Sequence, residues 1–153
     1  MNCRVLYFTR SGNAKRIALK ISEKAGCGIS QITDEKNWNG IFGFIRGGFY
    51  AHSFRMTHPV VTPDVNFSEY DRIVIVGPVW AGNAVPAVYS LLMREKENLD
   101  KVCLVLSSGG GDTIPVFSRL ESRMGAIPFK FGIPAGKTDE DEIAAQAAEM
   151  LKE

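Results

Sequence analysis

The sequence contains few of the residues that build disulfide scaffolds or metal centres. It has three cysteines and two histidines among 153 residues. Cys3, Cys27 and Cys103 show neither C-x-x-C spacing nor a neighbouring histidine. Cys3 and Cys103 lie in apolar runs, where a reduced thiol acts as a small core residue. This pattern predicts reduced cysteines, no metal site and a cytoplasmic chain.

The chain also lacks a charge bias and an uninterrupted membrane-spanning run. Lys and Arg together number 18 and Asp and Glu 17, which gives a net charge of +1 and indicates no nucleic-acid partner. Residues 73–93 carry no charge, but Gly77, Pro78, Gly82 and Pro86 interrupt them. A strand, a loop and a helix explain this stretch better than a spanning helix does.

No repeat, low-complexity tract or linker divides the chain, so residues 1–153 are predicted to form one domain. Short apolar runs alternate with stretches of helical spacing. Such a pattern is typical of a parallel sheet with helices on both faces. The predicted strands cover residues 4–8, 28–32 (at an edge), 72–76, 101–106 and 127–133; the predicted helices cover residues 13–25, 38–51, 85–94, 114–124 and 138–151, the last with Thr138 as N-cap.

The segment between residues 34 and 70 is too long for a plain loop in a compact domain. Its aromatic residues predict a glycine-interrupted helix over residues 38–51, followed by an extended return over residues 53–67. Packing of these aromatics against the sheet is the favoured interpretation. The alternative is that they form a surface for a partner or substrate, together with Arg46, His52, Arg55 and His58.

The loop after the first strand combines hydroxyl, amide and glycine residues at the start of a helix. It consists of Thr9, Arg10, Ser11, Gly12, Asn13 and Ala14. Free N–H groups and the helix dipole at such a position favour a phosphate, and Thr9 and Ser11 add donors. An ordinary helix start capped by Ser11 or Asn13 is the alternative. Neither a P-loop motif nor G-x-G-x-x-G occurs, so a single phosphate fits the loop best.

Two further loops follow the third and fourth predicted strands. The second places an aromatic side chain among small residues, which suits a flat ring system: Pro78, Val79, Trp80, Ala81, Gly82 and Asn83. The third contains three consecutive glycines, which suggest close approach of the backbone to a ligand: Ser107, Ser108, Gly109, Gly110, Gly111 and Asp112. Core packing of Trp80 and a flexible glycine turn are the alternatives. With strand order 2-1-3-4-5, the three loops converge.

Taken together, the three loops resemble those of the flavodoxin family over nearly the whole chain. The resemblance implies a three-layer, doubly wound, five-stranded parallel sheet of order 2-1-3-4-5 with FMN at the switch point. It implies that residues 9–14 hold the FMN phosphate, that Trp80 stacks on the isoalloxazine, and that residues 78–83 and 107–112 surround the ring. The family has a further hydroxyl where this chain has Ala14, and many relatives carry a tyrosine in the third loop.

Three functions are compatible with this resemblance. The leading one is an FMN-binding electron-transfer protein that shuttles electrons between redox partner proteins. The second is an FMN-dependent reductase with a nicotinamide donor and a small quinone-like acceptor, for which the glycine-rich third loop leaves one flavin face open. The third is a cofactor-free interaction module, which Ala14 and the missing tyrosine keep in consideration. The sequence leaves the oligomeric state open.

The linear distribution of charge predicts excess positive charge near the phosphate loop. Residues 1–24 contain six Lys or Arg against one Glu, and residues 137–153 contain two Lys against six Asp or Glu. From this separation we expect a milder reduction potential than that of a strongly acidic carrier.

Overall fold

The computed structural model describes residues 1–135 and 139–153. The strands are β1 (Cys3–Tyr7), β2 (Gly28–Thr33), β3 (Val60–Thr62), β4 (Arg72–Trp80), β5 (Asn83–Ala84), β6 (Val102–Ser108) and β7 (Phe129–Pro134). The helices are α1 (Asn13–Ala25), α2 (Gly40–His52), α3 (Pro86–Arg94), α4 (Ile114–Met124) and α5 (Glu140–Met150), with short 3-10 helices at Phe67–Glu69 and Lys96–Lys101. Thr138, the predicted N-cap of the last helix, lies outside the described residues. Asp139 caps α5, because its carboxylate accepts a hydrogen bond of 2.9 Å from the Asp141 amide.

The sheet confirms the predicted order and adds two strands. Across the sheet, hydrogen-bonded strands follow one another in the order β3-β2-β1-β4-β6-β7. If only the five parallel strands are numbered along the chain, their order across the sheet is 2-1-3-4-5. β3 pairs antiparallel with β2, with Val61 opposite Ile32, so the prediction that β2 forms an edge was wrong. The physical reason is that the return segment runs back beside β2 and supplies its backbone groups with partners.

Helices cover both faces of the sheet. On β4, Ile73 and Ile75 point into one core layer, while Val74 and Val76 point into the other. The first layer includes residues of α3 and α4, and the second includes residues of α1 and α5. Because side chains alternate along a strand, a strand buried on both sides is apolar throughout. The continuous apolar run in the sequence therefore indicated its position correctly.

The cysteine prediction was wrong for two of the three residues. Cys3 and Cys27 form a disulfide, with Cα atoms 5.6 Å apart. The register of β1 and β2 pairs Arg4 with Gly28, which places the residues just before them side by side. Cys103 is a free, buried cysteine on β6. Cysteine content therefore no longer supports the cytoplasmic assignment, which stays a prediction.

No helix among the described residues is both long and apolar enough to cross a membrane. Residues 73–93, which lack charge, are divided between β4, the β5 hairpin and α3. The interpretation of this stretch as separate elements is therefore confirmed.

Helix α2 turns its small residues inward and its large apolar residues outward. Gly43, Gly47 and Ala51 are its buried residues. The side chains that face solvent are Ile41, Phe42, Phe44, Ile45 and Phe49. Packing against the sheet, the favoured interpretation for these aromatics, was wrong for the three phenylalanines. It holds for Trp38, which is buried beneath the start of the helix.

Candidate functional site

The first turn of α1 has no side-chain cap among the described residues. Gly12 occupies the N-cap position with φ of +98°, a conformation that glycine adopts without strain. Its own amide donates to Thr9 Oγ1 at 2.9 Å, which closes the loop. Ser11 and Asn13 therefore do not cap the helix, contrary to the ordinary interpretation of this loop. The first-turn N–H groups that a cap would satisfy are left for solvent or a ligand.

The second loop is a tight β-hairpin. β4 continues to Trp80, and β5 returns beside it with Val79 opposite Ala84 and Trp80 opposite Asn83. Ala81 and Gly82 form the turn, with φ of +48° and +79°. A two-residue turn with both φ values positive matches the twist of a β-hairpin. The hairpin thus fixes the backbone on both sides of the indole.

Trp80 lies between the sheet and α2. Its ring makes edge contacts with Phe8 and Trp38, at centroid distances of 5.8 Å and 5.9 Å. A Cβ at Gly47 would lie only 2.8 Å from Trp80 Cζ3, so the helix backbone sits directly against the indole. The ring is half-buried and still lines two cavities. Trp80 therefore combines core packing with a surface available to a ligand.

The three glycines of the third loop are surrounded by open space. A Cβ at Gly109, Gly110 or Gly111 would meet no atom within 4 Å, and only Gly110 has a positive φ, of +129°. Ser108 Oγ donates to the Gly111 carbonyl at 2.7 Å. The Asp112 carboxylate accepts from the Ile114 amide at 3.0 Å and so orders the start of α4. The backbone needs glycine at only one of the three positions.

A cleft of about 430 Å³ joins the three loops at the carboxyl ends of the strands. The predicted site residues that line it are Thr9, Arg10, Ser11, Asn13, Ala14, Pro78, Val79, Trp80, Ser107, Ser108 and Gly109. The predicted residues outside its lining are Gly12, Ala81, Gly82, Asn83, Gly110, Gly111 and Asp112. Five further residues line the cleft that the sequence did not predict: Arg16, Ile17, Ile133, Ala135 and Glu140. Ile133 and Ala135 follow the rule that parallel strands end at a shared edge, which applies equally to the fifth strand.

Asn83 has a different place from the one predicted. Its side chain is buried, and its Nδ2 donates to the Ala51 carbonyl at 3.0 Å. Its Oδ1 accepts from Arg119 Nε at 2.9 Å, and Arg119 also donates to the Gly82 carbonyl. The side chain therefore ties the hairpin to the end of α2 and to α4.

Arg10 points towards α2. Its Nε donates to the Trp38 carbonyl at 3.1 Å, and its guanidinium lies 5.4 Å from the centroid of the Phe44 ring. It lines a second cavity of about 450 Å³ together with Phe44, Ile45, Gly48, Val79, Trp80 and Ala81. Arg10, Val79 and Trp80 also line the first cleft, so the two cavities are neighbours.

Basic residues of α1 form ion pairs with acidic residues at the start of α5. Arg16 binds the Glu140 carboxylate at 2.8 and 2.9 Å, and Lys20 lies 2.9 Å from Glu140 and 2.7 Å from Asp141. These contacts, with the Arg16 hydrogen bond as the largest cause, lower the pKa of Glu140 to about 2. Burial opposes the shift without cancelling it. Two of the six cations of residues 1–24, Arg16 and Lys20, are thus paired with carboxylates of α5, and the expected milder reduction potential stays a prediction.

Comparison with solved structures shows a flavodoxin-like fold. A flavoprotein from Lactobacillus acidophilus NCFM in complex with FMN has a TM-score of 0.70 at 18% identity, over 86% of this chain and 91% of that one. A flavodoxin from the domain Archaea has a TM-score of 0.54 at 18% identity, over 100% of each chain. A flavodoxin, WrbA-like protein from Agrobacterium tumefaciens has a TM-score of 0.56 at 12% identity, over 99% and 97%.

No protein-family model matches the sequence. No curated protein matches it either. The likeness therefore rests on three-dimensional structure, and it defines the fold class without defining the ligand.

Proposed function

We propose that the chain binds FMN in the cleft between the three loops and carries electrons between redox partners. The observation that carries this proposal is the uncapped start of α1 in the same cleft as the Trp80 indole. The cleft volume of about 430 Å³ falls within the range of small-molecule sites. The Lactobacillus flavoprotein of the same fold, crystallised with FMN, supports the choice of ligand.

The residues of the first loop suit a phosphate. The first-turn amides of α1 supply N–H donors, and Ser11 and Asn13, which line the same cleft, carry polar side chains that can donate to a phosphate. Glu140 also lines the cleft, but Arg16 and Lys20 neutralise its carboxylate. An added phosphate therefore meets donors at the helix start and a compensated ion pair beside it.

Trp80 and the ends of β4 and β6 suit the apolar part of the ligand. The contacts of Trp80 with Phe8, Trp38 and Gly47 fix the indole before any ligand arrives. Preorganisation of this kind reduces the ordering cost of binding. Bound FMN supplies the exchange of one or two electrons, while the protein holds it and shields part of its ring.

The open third loop favours one alternative function, an FMN-dependent reductase with a nicotinamide donor and a quinone-like acceptor. Side chains at residues 109–111 are absent, and the space around them is unfilled. This opening would allow a second planar molecule to approach the flavin. Steady-state oxidation of NADH or NADPH with a soluble quinone separates a reductase from a carrier that needs protein partners.

Fluorescence titration of the apoprotein with FMN tests the site. We expect Ser11→Ala and Trp80→Ala each to weaken FMN binding at least tenfold, because each removes a group from the cleft wall. Ser118→Ala is the matched hydroxyl control, since Ser118 bonds to the Ile114 carbonyl on α4, outside the cleft lining. Unchanged affinity in both cleft variants would place the ligand elsewhere. Failure of the wild type to bind FMN would favour a cofactor-free interaction module.

A further inference from the structure

Helix α2 exposes a continuous set of large apolar side chains, which we call the α2 face: Ile41, Phe42, Phe44, Ile45 and Phe49. Their exposed fractions range from 59% for Phe49 to 85% for Phe42. The helix is 13 residues long and packs on the protein through Gly43, Gly47 and Ala51. Isolated exposed apolar residues are common, but a set of five on one helix marks an interaction surface.

The segment around this face carries positive charge without a single carboxylate. Between Glu35 and Asp64 the sequence has no Asp or Glu, while it contains Lys36, Arg46 and Arg55. The guanidinium of Arg46 lies 5.3 Å from the Trp38 ring centroid, and that of Arg55 lies 5.1 Å from the Tyr50 ring centroid. Arg10, from the first loop, adds a third arginine, which lies beside Phe44. The α2 face therefore has a cationic border.

We propose that the α2 face docks the protein on an anionic membrane surface. Helices that lie in a membrane interface combine an apolar face containing Phe with flanking Lys and Arg. Phenylalanine and isoleucine side chains enter the boundary between headgroups and acyl chains, and the arginines meet lipid phosphates. α2 has both the apolar face and the flanking arginines, and the positive charge of the arginines is complementary to anionic headgroups.

A second copy of this chain fits the surface less well. In a two-fold symmetric dimer the same patch would face itself. The patch would then have to supply its own counter-charges, and residues 36–63 hold no carboxylate that could pair with the arginines of the other copy. An anionic bilayer supplies the missing negative charge without a preformed counterpart.

A folded acidic partner is the other class of occupant, and the shape of the α2 face argues against it. Its side chains project from a single helix, and Phe42 is exposed over most of its surface. A protein interface would need matching pockets for each projecting ring, whereas a bilayer deforms around them. A lipid surface therefore accounts for apolar character, charge and shape together.

Docking through α2 would bring the candidate cleft close to the lipid. Phe44 and Ile45 belong to the α2 face and also line the second cavity, which shares Trp80 with the cleft. A bilayer seated on the helix would therefore adjoin the rim of that cavity. The α2 face is exposed whatever ligand the cleft binds.

Vesicle flotation with the full chain tests the proposal. The probes are vesicles of phosphatidylcholine alone and of phosphatidylcholine mixed with phosphatidylglycerol. We expect binding to the mixed vesicles, at least tenfold weaker binding to the neutral ones, and release at about 1 M salt, where screening acts over only about 3 Å. The double variant Phe42→Ser/Phe49→Ser should lower the partition coefficient by about a hundredfold.

Leu19→Ser is the matched control, because Leu19 is an exposed apolar residue on α1, across the sheet from α2. It should bind vesicles as the wild type does, and circular dichroism should show all variants folded. Absence of wild-type binding to mixed vesicles, or equal loss in the control, would overturn the proposal. So would concentration-dependent dimerisation that the double variant abolishes while vesicle binding is absent. The lipid and salt comparisons use the wild type, so they test docking on an anionic membrane even if the double variant fails to fold.

Discussion

Gly47 of α2 and Trp80 of β4 lie in direct contact, and a methyl group at position 47 would come within 2.8 Å of the indole Cζ3. The same methyl group would lie 3.4 Å from Trp38. The two rings also contact each other edge to edge, so a shift of one indole would disturb the other. The glycine thus lets the helix approach the sheet while its large residues remain outside.

Gly47→Ala should destabilise the protein, although alanine is the better helix former. The gain in helix propensity of about 1 kcal/mol is opposed by overpacking, which typically costs about 1–3 kcal/mol. Gly48→Ala is the control in the same helix, since its Cβ would meet only the Ala81 methyl group at 3.9 Å. Urea unfolding should show Gly48→Ala more stable than Gly47→Ala by at least about 1 kcal/mol. Equal stability of the two variants would contradict the close packing at position 47.

Asn83→Ala should lower the free energy of unfolding by about 1–3 kcal/mol, because it removes the hydrogen bonds of a buried amide, one of them to a charged guanidinium. The Ala51 carbonyl and Arg119 Nε both lose their bond to the amide. Asn98→Ala serves as the control, since its amide bonds locally to Glu95. Thermal unfolding measures both. A smaller effect at Asn83 than at Asn98 would show that the clamp does not stabilise the hairpin.

The paired charges of α1 and α5 should make stability depend on acid pH. The pKa of Glu140 is lowered from 4.5 to about 2. A lowered folded-state pKa stabilises the protein above the unfolded value, and this contribution is lost as the pH falls from about 4.5 to about 2. Because solvent screens this partly exposed pair, Glu140→Gln should cost only about 1 kcal/mol at pH 7 and almost nothing at pH 2.

Glu149→Gln is the comparison, because Glu149 is exposed and pairs only with nearby Lys152. The free energy of unfolding of each variant and of the wild type, measured without ligand from pH 2 to pH 7, gives the pH dependence of both substitutions. A gap between wild type and Glu140→Gln that does not close in acid would contradict the ion-pair explanation.

The cysteines should react with a thiol reagent in a fixed sequence. The native protein should show no reactive thiol, because Cys103 is buried and burial raises its pKa to about 12. The unfolded protein without reductant should show one reactive thiol, that of Cys103. The unfolded and reduced protein should show three, because reduction breaks the bond between Cys3 and Cys27. Three thiols in the unreduced, unfolded protein would show that the disulfide does not form.

The sequence by itself determined the five parallel strands of the sheet and the edge of the sheet where the cleft lies. The hydrophobic runs at β1, β4 and β6 indicate strands that are buried on both faces, because such strands are apolar at consecutive positions. Loop composition at residues 9–14 and at Trp80 pointed to the carboxyl edge, where parallel strands must end together.

Tertiary structure alone decided which long-range neighbours these residues have. The bond between Cys3 and Cys27 follows from strand register, and the pairing of Arg16 with Glu140 follows from the packing of α1 on α5. The same is true of the direction in which α2 faces. Glycine-rich helices can bury either side, and the contact of Gly47 with Trp80 selected the side that leaves Phe42 and Phe49 in solvent. Composition contains no information about such choices, because they depend on residues far apart in the chain meeting in space.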